Sequence, residues 1–226
     1  MYEATLDELK QLLKDNCKAW QYALDHYEEV VSRTHSYTLY GPHAHWLGAS
    51  IPCNTVTPKR ARKLMAKTRR KDYVIYHLDE HYKVMRTIIV LEYTRVDVIY
   101  HHFELDGVVY AFSTPGSLKD GEVQPFSSRF GKRFYVDGET HFLRFEDEKP
   151  VSYGIVNPGL VFVQFYEYVD SQRMVVTTYR YWPFARRNEY GDPIDPDAPI
   201  GADNSPVRFK VYEVTPEDTD FSRWFK

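Results

Sequence analysis

The chain has 226 residues, of which 43% are hydrophobic and 16% aromatic, and this composition is that of a globular protein and excludes a disordered one. A formal net charge of −3 excludes an overall basic protein, and two cysteines, Cys17 and Cys53, are too few for a disulfide framework. The N-terminus has no signal-peptide pattern and no apolar run could span a bilayer. We therefore expect one reduced, cytoplasmic domain over residues 1–226, with no membrane contact.

The first predicted element is one amphipathic helix over residues 6–32. Thr5 and Glu8 have the spacing of a capping box, in which each side chain satisfies the other residue's free N–H group. Apolar residues then recur at steps of three and four, as one face of a helix requires. The stripe comprises Leu9, Leu12, Leu13, Cys17, Trp20, Leu24, Tyr27, Val30 and Val31. The stripe places Cys17 on the buried face of this helix.

Residues 34–57 are predicted to be irregular and contain the pair His43 and His45. A second helix follows, with Thr57 as its N-cap and Pro58 at its first position, where proline is favoured. This helix is strongly basic. The helices complete a helical part that covers residues 1–72.

The hydrophobic period changes from 3.6 to 2 at Tyr73, which indicates strands over the sheet part, residues 73–226. Short links that contain Asp106-Gly107, Asp137-Gly138 and Asn157-Pro158-Gly159 predict antiparallel hairpins. The predicted strands are 73–78, 82–92, 96–105, 108–112, 133–136, 140–145, 151–156, 160–169, 174–182 and 207–214. The long connections 113–131 and 185–206 interrupt them.

These elements predict an α+β fold in which N-terminal helices pack on a large antiparallel β-meander sheet. The pattern also allows a strongly curved or barrel-like form of this sheet.

The strongest local charge signal is a run of eight basic residues without an acidic one, which we call the basic segment: Lys59, Arg60, Arg62, Lys63, Lys67, Arg69, Arg70 and Lys71. Such a run can be a solvated helix face or can pair with the acidic first helix. It can also bind an acidic protein or nucleic acid, although the negative net charge of the chain counts against nucleic acid.

Histidines offer a second kind of site. His43 and His45 lie two residues apart in an extended segment, and His77 and His81 flank a predicted turn. Together they could hold zinc, and His101 is a further candidate ligand. No established zinc spacing occurs, so surface or half-buried histidines of a sheet are the ordinary alternative. No cofactor is predicted apart from this zinc alternative.

No motif for a nucleophile, a P-loop or a dinucleotide site occurs in the chain. The hypothesis that remains is a non-catalytic binding protein with a protein–protein surface, in an immunity-like or adaptor role and with an acidic partner. The alternatives are a metal-assisted hydrolase that uses the histidines and a nucleic-acid binder that uses residues 59–71.

Overall fold

The structure, a computed structural model, describes residues 2–42, 73–81, 83–90, 97–119, 122–125, 138–147, 149–170, 173–181 and 207–214. These residues form two helices and eleven strands. The helices are α1 (Leu6–Asp25) and α2 (Tyr27–Ser32). The strands are β1 (Tyr37–Pro42), β2 (Tyr73–Leu78), β3 (Val84–Val90), β4 (Asp97–Leu105), β5 (Val108–Lys119), β6 (Glu122–Pro125), β7 (Thr140–Glu146), β8 (Lys149–Asn157), β9 (Leu160–Tyr168), β10 (Met174–Tyr181) and β11 (Val207–Val214).

Helix α1 begins where the capping box predicts. The Glu8 N–H donates to Thr5 Oγ1 at 3.2 Å, and the Thr5 N–H donates to the Glu8 carboxylate at 2.7 Å. The predicted single helix over 6–32 is interrupted at His26, whose φ of −110° and ψ of 21° lie outside the helical range. His26 therefore separates α1 from the short helix α2.

The strands form one antiparallel sheet in the order β1-β2-β3-β4-β5-β7-β8-β9-β10-β11, and this order confirms the predicted meander. Strand β6 lies off this path and pairs with β5. The barrel-like variant is wrong. The sheet is open, because its terminal strands β1 and β11 pair only with β2 and β10 among the described strands.

Several strands differ from their predicted bounds. Strand β5 continues through Pro115 and Gly116, which the sequence indicated as a break, because both residues stay paired with β4. Strands β1 and β6 lie in stretches predicted to be irregular. The predicted strand 133–136 and the loop 185–206 fall outside the described residues. The Asp106-Gly107 turn is confirmed, with φ values of 52° and 75°.

Strand β5 carries two different strands on one edge. Its pairing with β7 ends at Ala111 opposite His141, and its pairing with β6 begins at Gly116 opposite Pro125. Residues 112–115 therefore pair with β4 on one edge and with no described strand on the other. The sheet divides at this point.

Helix α1 packs on one side of the sheet, which we call the helix face, and the side chains that it buries are mostly small. Its buried residues are Leu9, Leu12, Asn16, Ala19 and Ala23. The four apolar ones form one core cluster with sheet residues that include Phe103, Tyr110, Phe112, Phe142, Val163 and Tyr179. The prediction that Cys17 faces the core is wrong. Cys17 is exposed, because the neighbouring small residues face the sheet instead.

Polar contacts fix α1 over the start of β7. The Asn16 amide donates to the Gly138 carbonyl at 2.9 Å and accepts from the Thr140 hydroxyl. The preceding helix residue, Asp15, accepts a hydrogen bond from Arg144 at 2.9 Å. These contacts join residues that lie more than 120 positions apart, so they set the position of the helix on the sheet.

No helix in the described part of the chain has the length and apolar character needed to cross a membrane.

Candidate functional site

The two ends of the sheet differ in charge. Strand β11, at one end, has the sequence VRFKVYEV and carries Arg208, Lys210 and Glu213. Strand β1, at the other end, has the sequence YTLYGP and carries no charged residue. Charged side chains on an edge strand oppose the addition of a further strand. Strand β1 lacks this protection, and its first residue, Tyr37, is 42% exposed.

The basic segment lies outside the described residues. In the sequence it falls between β1, which ends at Pro42, and β2, which begins at Tyr73. Because β1 and β2 pair along their whole length, the basic segment is part of the connection between the two outermost strands at this end of the sheet.

The four predicted zinc ligands do not form a described site. His43 and His45 lie outside the described residues, as does Cys53. His77 lies within β2, whereas the His81 side chain is 82% exposed in the following turn, 3.5 Å from Glu80. No group of three or more His, Cys, Asp or Glu side chains suited to a metal ion occurs among the residues that the structure describes.

His77 instead belongs to a row of three nitrogen-bearing side chains, which we call the cation row. In the sheet register His77 lies opposite Arg86, and Arg86 lies opposite His101. His101 in turn lies opposite Phe112, a residue of the core beneath the helices, so the row is on the helix face. The ring of His35 stacks on that of His77, with 3.7 Å between centroids.

The cation row lies against the C-terminal end of α2. Arg86 Nη2 donates to the carbonyl oxygens of Val31, at 2.6 Å, and Arg33, at 3.5 Å. Carbonyl groups at a helix C-terminus carry partial negative charge and favour a nearby cation. This contact accounts for one nitrogen of Arg86. Its Nε has no hydrogen-bond partner among the described residues.

The environment of the row disfavours additional positive charge. Burial lowers the pKa of His77 to about 3, and the charges of His35 and Arg86 act in the same direction. Burial, together with Arg86, also lowers the pKa of His35 and lowers that of His101 far below its ordinary value. The three histidines are therefore neutral at pH 7, and Arg86 carries the fixed charge.

A second polar group lies on the opposite face of the sheet, where β7 meets β8. His141 Nε2 lies 3.5 Å from a Glu139 carboxylate oxygen, and His141 Nδ1 lies 3.1 Å from the Tyr153 hydroxyl. Asn157 donates to Glu139 at 3.1 Å. A carboxylate only accepts, so we assign Nε2 as the donor and Nδ1 as the acceptor from Tyr153.

Glu139 is ionised in this group. Burial alone would raise its pKa, but hydrogen bonds from His141 and Asn157 more than offset burial, and the pKa lies below its ordinary value. The chain of contacts could pass a proton between Tyr153 and Glu139. Both nitrogens of His141 are engaged within it, and it joins β7 and the residue before it to β8. A structural role accounts for this group.

Neither group was predicted as a site from the sequence. The sequence indicates His77 and His101 as zinc ligands and offers no motif that includes Arg86. The sequence feature that could have indicated the row is the strand pattern, which places His77, Arg86 and His101 in three successive strands. The pattern does not fix the register of these strands.

No known protein family, curated protein or solved structure matches this chain.

Proposed function

We propose that this chain is a non-catalytic binding protein that recognises an acidic, extended segment of a partner protein at the β1 edge of its sheet. The observation that supports this proposal is the contrast between the charged strand β11 and the uncharged strand β1. An immunity-like or adaptor protein would use a surface of this kind.

The mode of binding is strand addition. An extended peptide can pair with an exposed sheet edge, where main-chain hydrogen bonds provide affinity and alternate side chains provide specificity. Strand β1 offers six residues for this pairing, Tyr37–Pro42. Tyr37 is exposed beside this edge and is of a type that is common at interaction hot spots.

The charge of the partner follows from the basic segment. Its eight cations stand in the connection between β1 and β2. A partner with acidic side chains would be attracted to this region, which raises the association rate and orients the encounter.

Site-specific photo-crosslinking tests the proposal. A benzoylphenylalanine in place of Tyr37 should crosslink to one partner in lysate of the source organism. The matched control carries the same group at Val169, which is 49% exposed in the turn between β9 and β10. A partner that crosslinks equally from both positions, or from Val169 alone, would contradict binding at the β1 edge.

Two proline variants test whether the main chain of β1 makes the contact. Successive N–H groups of an edge strand point alternately to the neighbouring strand and away from it. Of Thr38→Pro and Leu39→Pro, one therefore removes an outward N–H group and the other removes an N–H group directed at β2. We expect the variant that lacks an outward N–H group to lose the Tyr37 crosslink, while its circular dichroism spectrum stays unchanged. Retention of the crosslink by both would exclude strand addition.

Charge reversal tests the contribution of the basic segment. A variant with four substitutions to glutamate should capture far less of the partner and keep its circular dichroism spectrum. The replaced residues are Arg62, Lys63, Arg69 and Arg70. Unchanged capture would remove the basic segment from the proposal and leave the β1 edge to be judged by the proline variants.

The two alternatives predict other results. A metal-assisted hydrolase that uses His43 and His45 requires bound zinc, which elemental analysis and zinc titration would detect. A nucleic-acid binder that uses residues 59–71 should shift DNA or RNA in a gel at low salt and release it at high salt. Either positive result, without a protein crosslink at Tyr37, would favour that alternative over the proposal.

A further inference from the structure

We propose that the cation row is a binding site for a small oxyanion, a ligand that carries a carboxylate or phosphate group. The site consists of Arg86 with His77 and His101 on either side. It is independent of the β1 edge, because it depends on side chains of β2, β3 and β4 on the helix face.

The cation row contains buried nitrogen atoms that have no acceptor among the described residues. Arg86 Nε, His77 Nδ1 and His101 Nδ1 are buried and have no hydrogen-bond partner among the described residues. Buried polar atoms are nearly always paired, so three in adjacent positions of one row call for an explanation. Directly opposed residues of neighbouring antiparallel strands have Cβ atoms about 5 Å apart, which lets one ligand reach neighbours in the row.

All three of these nitrogen atoms can donate a hydrogen bond. The Arg86 Nε–H group is always a donor. His101 Nε2 lies 2.8 Å from the Thr114 hydroxyl, and if that hydroxyl donates, the proton of the neutral ring is on Nδ1. His77 can take the same tautomer. A ligand that only accepts, such as a carboxylate or phosphate, matches a row of donors.

In the described part of the chain, no acidic side chain compensates the charge of Arg86. Arg86 lowers the pKa values of His35, His77 and His101, and no described carboxylate raises any of the three. Helix α2 carries two carboxylates, Glu28 and Glu29; both are exposed, and the ion pair that Glu29 makes is with Arg33, at 3.7 Å. The α2 carbonyl groups offset only part of the Arg86 charge. A buried guanidinium favours a full negative charge beside it.

The route to the site passes His35. This residue is exposed, and its ring covers that of the half-buried His77, whereas His101 is 1% exposed and forms the inner end of the row. A small anion could thus reach Arg86 by displacement of one exposed ring, with little change in the sheet.

Thermal unfolding of the full chain tests the site. Inorganic phosphate and acetate are titrated at pH 7 against sodium chloride at matched ionic strength. A ligand that binds only the folded state raises Tm, and at about ten times its Kd we expect a rise of roughly 3–5 °C. A rise in Tm with phosphate but not with acetate would identify a phosphate site. A rise with acetate but not with phosphate would identify a carboxylate site. No difference from chloride in either titration would overturn the proposal.

Variants locate the effect. Arg86→Met removes the charge and retains the stem, and it should abolish the rise in Tm. The control Arg180→Met alters a half-buried arginine that lies 5.9 Å from the Phe162 ring on the opposite face, and it should retain the rise. An equal rise in Arg86→Met and in the wild type would contradict the assignment.

A second measurement covers the case in which Arg86→Met does not fold. Two-dimensional ¹⁵N spectra of the histidine rings report the tautomer and hydrogen bonding of each ring in the wild type. Titration with the anion should shift His77 and His101 and leave His141, on the opposite face, unchanged. Unshifted His77 and His101 rings would exclude anion binding at the row.

Discussion

Gly154, in the middle of β8, shows how closely neighbouring strands and rings approach in this sheet. A Cβ atom at this position would lie 2.6 Å from the Phe162 carbonyl oxygen and 2.5 Å from the Phe142 ring. The ring of Phe142 lies across the glycine because Phe142 and Gly154 are opposed in the register of β7 and β8. The main-chain carbonyl cannot move without a shift of β9, so this glycine has a steric role.

We predict that Gly154→Ala lowers the free energy of unfolding by about 1–3 kcal/mol, the usual cost of an overfilled core. Gly159→Ala is the matched control. A Cβ atom there would meet its nearest neighbour, the Asn157 side chain, at 3.6 Å, an ordinary contact. Urea unfolding of both variants measures the difference, and equal stabilities would contradict the steric role of Gly154.

At the scale of single residues, the sequence also misplaced Cys17. The helical period was correct, but the face was assigned from the large apolar residues. The structure buries Asn16, Ala19 and Ala23 instead. Small residues let a helix approach a sheet that already carries large rings, here Phe103, Phe112 and Phe142 among others. The preference depends on the opposing surface, and the helix sequence alone does not contain it.

At the scale of elements, features set by local sequence were predicted well. The capping box, the Asp106-Gly107 turn and the bounds of β2 and β11 agree with the structure. Strands that form only through pairing with a neighbouring strand were predicted poorly. Strand β1 lacks a clear alternation and ends in Gly41 and Pro42, and it is a strand through its pairing with β2. The length of β5 likewise follows from its pairing with β4.

The position of α1 on the sheet depends on Asn16, and we predict that Asn16→Ala lowers the free energy of unfolding by about 2 kcal/mol. The substitution leaves the Gly138 carbonyl and the Thr140 hydroxyl without their partner in a buried site. Gln11→Ala, on the exposed side of the same helix, removes only a surface contact with Asp15 and should cost far less.

A double-mutant cycle with Thr140→Val separates the Asn16–Thr140 contact from the general effect of truncation. We expect the two substitutions to be non-additive by about 1 kcal/mol, because they remove the same hydrogen bond. Additive free energies from urea unfolding would show that Asn16 and Thr140 act independently.

At the scale of the whole sheet, the cation row depends on the register between strands, which the sequence pattern does not specify. His77, Arg86 and His101 are separated by 9 and 15 residues and become neighbours only through the registers of β2 with β3 and of β3 with β4. A shift of one residue in either register would send one side chain to the opposite face. The sequence named His77 as a candidate but could not supply its neighbours.

The row has a consequence for stability as a function of pH. His77 has a folded-state pKa of about 3, against an ordinary value of 6.5, so the unfolded chain binds more protons between these values. Stability is therefore fully present above pH 6.5 and decreases as the pH falls towards 3. At pH 5 the loss from His77 alone is about 1–2 kcal/mol, because one pKa unit corresponds to about 1.4 kcal/mol and solvent screening of the partly exposed ring reduces the full effect.

The variant His77→Gln tests this prediction, since glutamine is neutral at every pH in the window. The wild type should lose about 1–2 kcal/mol more than the variant between pH 7.5 and pH 5, as measured by urea unfolding. The window stays above the range in which Glu8 and Glu139 titrate, because the pKa values of both carboxyls are lowered from 4.5. His81→Gln serves as control, because the exposed His81 side chain lies outside the row and should leave the pH dependence unchanged. Parallel pH profiles for the wild type and His77→Gln would show that His77 titrates normally in the folded protein, and that the row is open to water.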